Sequence, residues 1–325
     1  MYELAQSQTR AQTPRRIRLG RFASYLAENW TLALLALPGV IYFLLFNYLP
    51  MFGIVVAFED YNVKTGFLSP WVGLKNFRVL WESPVLWRIV SNTVVLNLLF
   101  ITATTVCAVT VALLLNEVRS KFFKSTAQLF MFLPFFMGWA LVAMLLYSLT
   151  DYNVGSLNRF LVSLGMQKLN LEANPAAWRW ILTLIRVWKF TGSDCIIYLA
   201  ALVGIDPQLY ESAAIDGAGR WARMRHISLP ALVPTVITLT LLAIGRIFHS
   251  DYGMLYALVG QKPMLYATTD VIDTYILRAL RTNVSFGMST AVGLTQSLLG
   301  FIFVLGSNLL VKRWSQRQGE AYELF

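Results

Sequence analysis

The chain has 325 residues, 57% of them hydrophobic and 14% charged, with a mean hydropathy of +0.57. Soluble domains carry roughly 25% charged residues, so a water-soluble globular protein is excluded. A net charge of +10 would suit nucleic acid in a soluble chain, but in an apolar one it reports basic loops facing anionic lipid; membrane lipid is expected as a partner and nucleic acid is not.

Residues 1–29 form a polar, basic lead with Arg10, Arg15, Arg16, Arg18 and Arg21. The lead is too long, and the apolar run behind it too extended, for a cleavable signal. Its first half reads as a tail, and Ile17–Asn29 as an interfacial helix. The first apolar run extends from Trp30 to Phe58, with Pro38 and Pro50 in it. A helix needs about 20 apolar residues to cross the hydrocarbon core, so this run suffices. Glu59–Ser91 reads as a polar, aromatic loop. A second span is expected over Asn92–Leu115, a short basic turn over Glu117–Lys124, and a third span over Ala127–Leu149, with Pro134 and Gly138 as bends. After a polar loop at Asp151–Ala177, the fourth span covers Trp178–Val203. The fifth covers Leu229–Phe248, His249–Gly287 reads as a long polar loop, and the sixth span covers Met288–Val311. The spanning region is thus 30–311, followed by a polar tail, 312–325, that opens with Lys312 and Arg313.

Six spans put both ends on one side of the membrane. If that side is the cytoplasm, the inner segments hold fourteen Lys and Arg and the longer outer loops nine. The positive-inside rule therefore favours both termini cytoplasmic.

The fourth span carries Arg186, Lys189 and Asp194, and the fifth ends with Arg246 and His249. A charge at mid-bilayer costs on the order of 2.5–3.5 kcal/mol on insertion scales, so these groups should face protein or water. Arg186 and Lys189 are three apart and share a helix face, as do Arg246 and His249. Gly192-Ser193 beside Asp194 reads as a loosened turn lining a cavity. Asp194 is equally open to a structural salt bridge with Arg186 or Arg246. The surplus of positive groups suits an anionic solute, and Trp188, Tyr252 and Tyr256 offer faces for sugar rings.

Between spans four and five lies a polar loop, 204–228, containing most of the stretch Tyr210–Pro230, YESAAIDGAGRWARMRHISLP. Tyr210, Ala213, Ala214, Gly217, Ala218 and Trp221 recur at helical spacing and define one face of small residues. Glu211, Asp216 and Arg220 flank it. A face of Ala and Gly permits close approach by another backbone, as a helix docked in a partner's groove requires. The other reading of the same pattern is an amphipathic helix lying on the membrane.

The order Glu211, Ala213, Ala214, Asp216, Gly217, Ala218, then Ile227, Leu229 and Pro230, resembles the EAA motif of bacterial ABC importer permeases. Ser212 stands where that family usually has Ala, and Met224 where Phe is common. The piece WVGLKNFRVLW is similar to the segment before the second core helix of sugar-type permeases. Trp188, Lys189, Gly192, Tyr198 to Leu202, Ile205 to Pro207 and Leu209 to Glu211 resemble the carbohydrate branch related to the maltose and glycerol-phosphate permeases, and most of all its alginate and aldouronate members. The resemblance covers roughly 76–313. It implies an all-α membrane protein with the type I ABC importer permease fold in a bacterial inner membrane. The implied partners are a second permease, two ABC ATPase subunits, and a periplasmic solute-binding protein; two basic interiors facing each other would repel, so the second permease is expected to be a different one. The implied substrate is an oligosaccharide of acidic type. By the same resemblance, Glu211, Ala214, Asp216 and Gly217 fall in the helix that sits in the ATPase cleft, and Tyr210, Ala213, Ala218, Arg220 and Trp221 beside them are expected to share in the coupling. The chain itself has no G-x-x-x-x-G-K-[ST] loop, so ATP and Mg are expected in the ATPase and no cofactor here. His226 and His249 lie far apart with no zinc-ligand pattern, and neither metal nor catalytic residues are expected. Two other readings stay open at this point: an ion-driven carrier coupled through Asp194, and a permease for a neutral glycan.

Overall fold

The computed structural model describes residues 28–260, 262–283 and 285–318. The expected interfacial helix over Ile17–Asn29 lies, but for its last two residues, outside that range, as does the end of the C-terminal tail. Among the described residues the architecture is helical, with a single isolated antiparallel bridge between Glu59 and Trp71. Four helices are long and apolar enough to cross a membrane, and six when each of two bent pairs counts as one span. Residues up to Val55 form one unit and those from Val56 a second.

The first unit holds α1, Trp30–Phe43. Its α-helix gives way to a wider π-turn at Leu44–Tyr48 and a tighter 3-10 stretch at Leu49–Phe58. Proline removes a backbone donor, and such local rewinding is how a helix accommodates it; Pro38 and Pro50 flank the π-turn.

In the second unit the segment expected as a loop before the second span is partly helical. Lys75–Glu82 forms α2, and α3 begins at Pro84 rather than near Asn92, running to Asn116. The earlier start has a local cause: the Ser83 hydroxyl accepts from Val85 N at 3.3 Å, with proline at the first helical position.

The third span is not one rod. Lys121–Phe132 (α4) and the turn Leu133–Phe136 meet Trp139–Thr150 (α5) at 97°. Pro134 and Gly138 bracket that corner, as read from the sequence. After Ser156–Ser163 (α6) comes α7, Pro175–Val203.

α3 and α7 pack along much of their length, and they run parallel. Asn92 and Arg179, near their starts, share a hydrogen bond of 3.1 Å, while Ala112 and Leu199, near their ends, sit in one apolar cluster. The stretch after α7 folds as Pro207–Ile215 (α8), Arg220–Arg223 (α9) and a π-turn over Met224–Ser228, leading into α10, Leu229–Ile244. Leu232 at the start of α10 packs with the ends of α3 and α7, so α10 runs antiparallel to both.

The region 249–287, expected as a polar loop, is a packed layer of short helices: α11 (Tyr252–Leu258), α12 (Tyr266–Thr269) and α13 (Ile272–Arg278). Met254, Leu255, Leu265 and Val271 are buried against Leu96, Phe100, Trp178 and Leu182. Hydropathy averaging hid them, because short apolar anchors alternate with polar residues. The last helix, α14, runs Phe286–Gln318, and Val292 near its start packs with Ile89 near the start of α3. Helices α3, α7 and α14 therefore begin at one end of the bundle, and the stretch 204–228 lies at the other.

Candidate functional site

Two places matter: the stretch between α7 and α10, and a cavity between α3, α7 and α10. The stretch is built from strong local signals. The Asp206 carboxylate accepts from Gln208 N at 2.9 Å, capping α8, and Pro207 takes its first position. The helix ends in a Schellman turn, with Ala218 N donating to Ala213 O (2.9 Å) and Gly217 N to Ala214 O (3.1 Å). Gly217 has φ +81°, the left-handed conformation that favours glycine. The predicted single helical face is thereby corrected. Tyr210, Glu211, Ala213 and Ala214 belong to α8, Asp216, Gly217 and Ala218 form a turn, and Arg220 and Trp221 begin a second helix. The Tyr210 hydroxyl and Ser228 Oγ, 2.9 Å apart, tie the two ends together. Ile215 and Trp221 stand 86% and 71% exposed, an apolar surface uncovered among the described residues.

The cavity has a volume of about 340 Å³. Of the predicted pathway residues, Arg186, Asp194, Arg246 and His249 line it, together with Asn97 and Thr104 of α3. Arg186 is held against the wall, its guanidinium 3.5 Å from Asp251 and 4.1 Å from the centre of the Phe190 ring. Asp251 is anchored in turn: it caps α11 through Met254 N (3.0 Å) and accepts from Trp139 Nε1 (2.9 Å). Asp194 does not form the salt bridge with Arg186 or Arg246 that one of its two readings offered, and accepts from Ser193 Oγ at 3.1 Å. Arg246 makes no ion pair among the described residues. It sits just past the end of α10, where the helix gives way to turns. Thr104 is buried and its hydroxyl has no partner among the described residues. That is unusual beside Thr93 and Thr110, whose hydroxyls donate one turn back at 2.6 and 2.7 Å.

Lys189, Trp188 and Tyr252 stand outside this group. The buried Lys189 ammonium donates to Pro134 O (3.0 Å), Phe135 O (2.9 Å) and Met137 O, the carbonyls freed at the α4–α5 corner. All three of its protons are used. Trp188 and Tyr252 are exposed and do not line the cavity. Nor is Gly192 a loosened turn. It lies within continuous helix, and a Cβ there would stand 2.0 Å from Met131 O, so the glycine marks a crossing of α7 on α4.

The sequence reading missed several polar residues that build the site. Asn97 Nδ2 donates to Ile247 O (2.7 Å) and Ser250 Oγ (3.1 Å), fixing the turn that carries Arg246 and His249. Away from the cavity, Asp270, its side chain buried, takes a paired bond from Arg278 at 3.0 and 2.7 Å and lies 3.5 Å from Arg88, holding the layer of short helices. Gln296 of α14 reaches the same turn from the opposite side. A lone amide inside an apolar run was the available signal for Asn97 and Gln296. Nothing comparable marked Asp270 or Asp251.

Comparison with known proteins agrees with this architecture. Residues 101–316 match the family model described as binding-protein-dependent transport system inner membrane component. The chain is 40% identical over 292 residues to the polygalacturonan/rhamnogalacturonan transport system permease protein YteP of Bacillus subtilis, covering 90% of each. It is 35% identical to protein LplB of the same organism, covering 91% of this chain and 94% of that one. Among solved structures it resembles a bacterial ABC transporter that imports the acidic polysaccharide alginate, with TM-score 0.82 and 32% identity over 90% of this chain and 99% of that one. The same transporter type in complex with an alginate pentasaccharide-bound periplasmic protein gives TM-score 0.81.

Proposed function

The chain belongs to the binding-protein-dependent transport system inner membrane components, as a sugar ABC permease and not itself an enzyme, and from that premise we propose that its cargo is an acidic oligosaccharide of uronate type. The observation that carries the cargo reading is the balance of charge in the cavity. Among the described residues Arg246 makes no ion pair, Arg186 is shared with Asp251, and Asp194 is the one carboxylate on the lining. A uronate offers a carboxylate to the guanidiniums, and its hydroxyls suit Asn97 on the lining. The polygalacturonan and alginate systems to which the chain is similar handle polymers of this chemistry.

Movement is driven from the stretch 204–228, in the cytoplasm in this reading. It joins the end of α7, which carries Arg186 and Asp194, to the start of α10, which leads to Arg246. A push on α8 by an ATPase subunit, holding ATP and Mg, would therefore act on two of the cavity's three walls, which is the rigid-body coupling that alternating access needs. A second permease closes the remaining side, and a periplasmic binding protein delivers the cargo at the far end. Two such interiors facing each other would repel, which favours a different partner over a second copy.

The test is Arg246→Gln in the assembled transporter in proteoliposomes. A hydrogen bond to a charged group contributes about 1.5–3 kcal/mol, so trigalacturonate uptake should fall about tenfold or more while any maltotriose uptake stays near wild type. Equal loss for both sugars would refute the acidic cargo.

A further inference from the structure

The cavity's histidine is held from behind. Gln296 lies on α14 and is 3% exposed. Its Nε2 donates to Phe248 O at 2.6 Å and stands 3.2 Å from both Asp273 Oδ1 and His249 Nδ1. Asp273 is itself fixed, since its Oδ2 accepts from Ser250 N at 2.7 Å. An amide nitrogen can only donate: one of its two hydrogens serves Phe248 O and the other is shared between Asp273 Oδ1 and His249 Nδ1, so a proton on Nδ1 would face the amide hydrogens and the imidazole carries its proton on Nε2. The amide cannot reverse to serve the other tautomer. Turning it over would set Oε1 against the Phe248 carbonyl and the Asp273 carboxylate, three acceptors with no proton among them.

We propose that Gln296 is a positioning residue that fixes His249 as the Nε2–H tautomer, giving the cavity a neutral hydrogen-bond donor beside its two arginines. Such a donor suits a hydroxyl or ring oxygen of a saccharide whose carboxylate the guanidiniums hold. That functional half rests on the cargo reading above; the tautomer does not. The charged and titratable groups that share the cavity lining with the imidazole are Arg246 on its own segment and Arg186, Asp194 and Tyr198 on α7; Asp273 on α13 faces its amide partner, and the polar groups of α3 are the neutral Asn97, Thr104 and Thr105.

The chain has two histidines, and they make a matched pair for measurement. His226 Nδ1 lies 2.9 Å from Ala222 O, an acceptor, so His226 carries its proton on the opposite nitrogen. With 15N-histidine in the full chain in bilayers, at a pH about two units above the ordinary histidine value, NMR should show Nε2–H for His249 and Nδ1–H for His226. Gln296→Met should turn His249 into a mixture of tautomers and leave His226 alone. In the reconstituted transporter, His249→Gln sets an N–H where Nε2 was and should keep trigalacturonate uptake within about threefold. His249→Asn sets it nearer Nδ1 and should lose about tenfold, the equivalent of one hydrogen bond. An Nδ1–H signal from wild-type His249, or no change in Gln296→Met, would overturn the lock. Equal uptake by the Gln and Asn variants would overturn its role in the cavity. A transporter that ignores trigalacturonate altogether would count against the cargo reading, and the NMR result would still decide the tautomer.

Discussion

Lys189 illustrates how a buried charge is assigned. A lysine in an apolar run signals that its ammonium is spent on something, and its sequence neighbours Arg186 and Asp194 point towards cargo. The acceptors prove to be carbonyls 52 to 55 residues away, which no local pattern shows. Replacing it with methionine keeps most of the volume and removes the donors. The Phe135 and Met137 carbonyls at the α4–α5 corner would then lack that donor, each at a cost of about 1–3 kcal/mol, while Pro134 O would keep only Met137 N at 3.1 Å. Lys189→Met should therefore lower the thermal midpoint of the purified protein substantially and reduce uptake of trigalacturonate and maltotriose in the same proportion. A normal midpoint with loss confined to the acidic sugar would return the ammonium to the cargo path. Arg246 and Lys189 thus separate by experiment, though in sequence both are single cations in apolar surroundings.

At the scale of elements, punctuation was legible and geometry was not. Pro134 and Gly138 announced a bend, but its 97° depends on what fills the corner, which is Lys189. Gly192 and Gly217 were both visible as glycines, yet their purposes differ. Gly217 ends a helix because the chain must take φ +81° there. Gly192 lets α7 press on the backbone of α4 at Met131. Without a Cβ, two helices can approach closely, and in lipid such packing replaces the hydrophobic drive. Gly192→Ala should therefore separate α7 from α4, costing about 1–3 kcal/mol as overpacking does. Gly306→Ala in α14, where a Cβ meets nothing within 4 Å, should leave the thermal midpoint unchanged or slightly raised. Equal tolerance at both positions would mean that α7 and α4 do not cross at Gly192. The layer at 249–287 was illegible for a different reason. Its buried anchors come in short groups, and only their partners on α3 and α7 reveal them as core.

At the scale of the whole molecule, one arrangement gives the parts their meaning. The helices α3, α7 and α14 start together at the end where α11–α13 pack, and the stretch 204–228 stands at the opposite end, directly continuous with α7 and α10. Hydropathy supplied six spans, which the structure matches when each of the two bent pairs counts as one, because it averages over many residues; the excess of Lys and Arg in alternate segments supplies an expected orientation. The orientation can be measured because the native thiols are sheltered: Cys195 is buried and Cys107 half-buried, both within helices. Exposed Ser212 on α8 and Ser163 on α6 mark the two ends. In right-side-out vesicles a membrane-impermeant maleimide should modify Ser163→Cys and spare Ser212→Cys, with the pattern reversed when the membrane is inverted. Modification of Ser212→Cys from outside would place the Gly217 turn beyond the reach of any cytoplasmic ATPase. The route from that turn through α7 and α10 to Arg186 and Arg246 would then have no motor at its end, whatever the cavity binds.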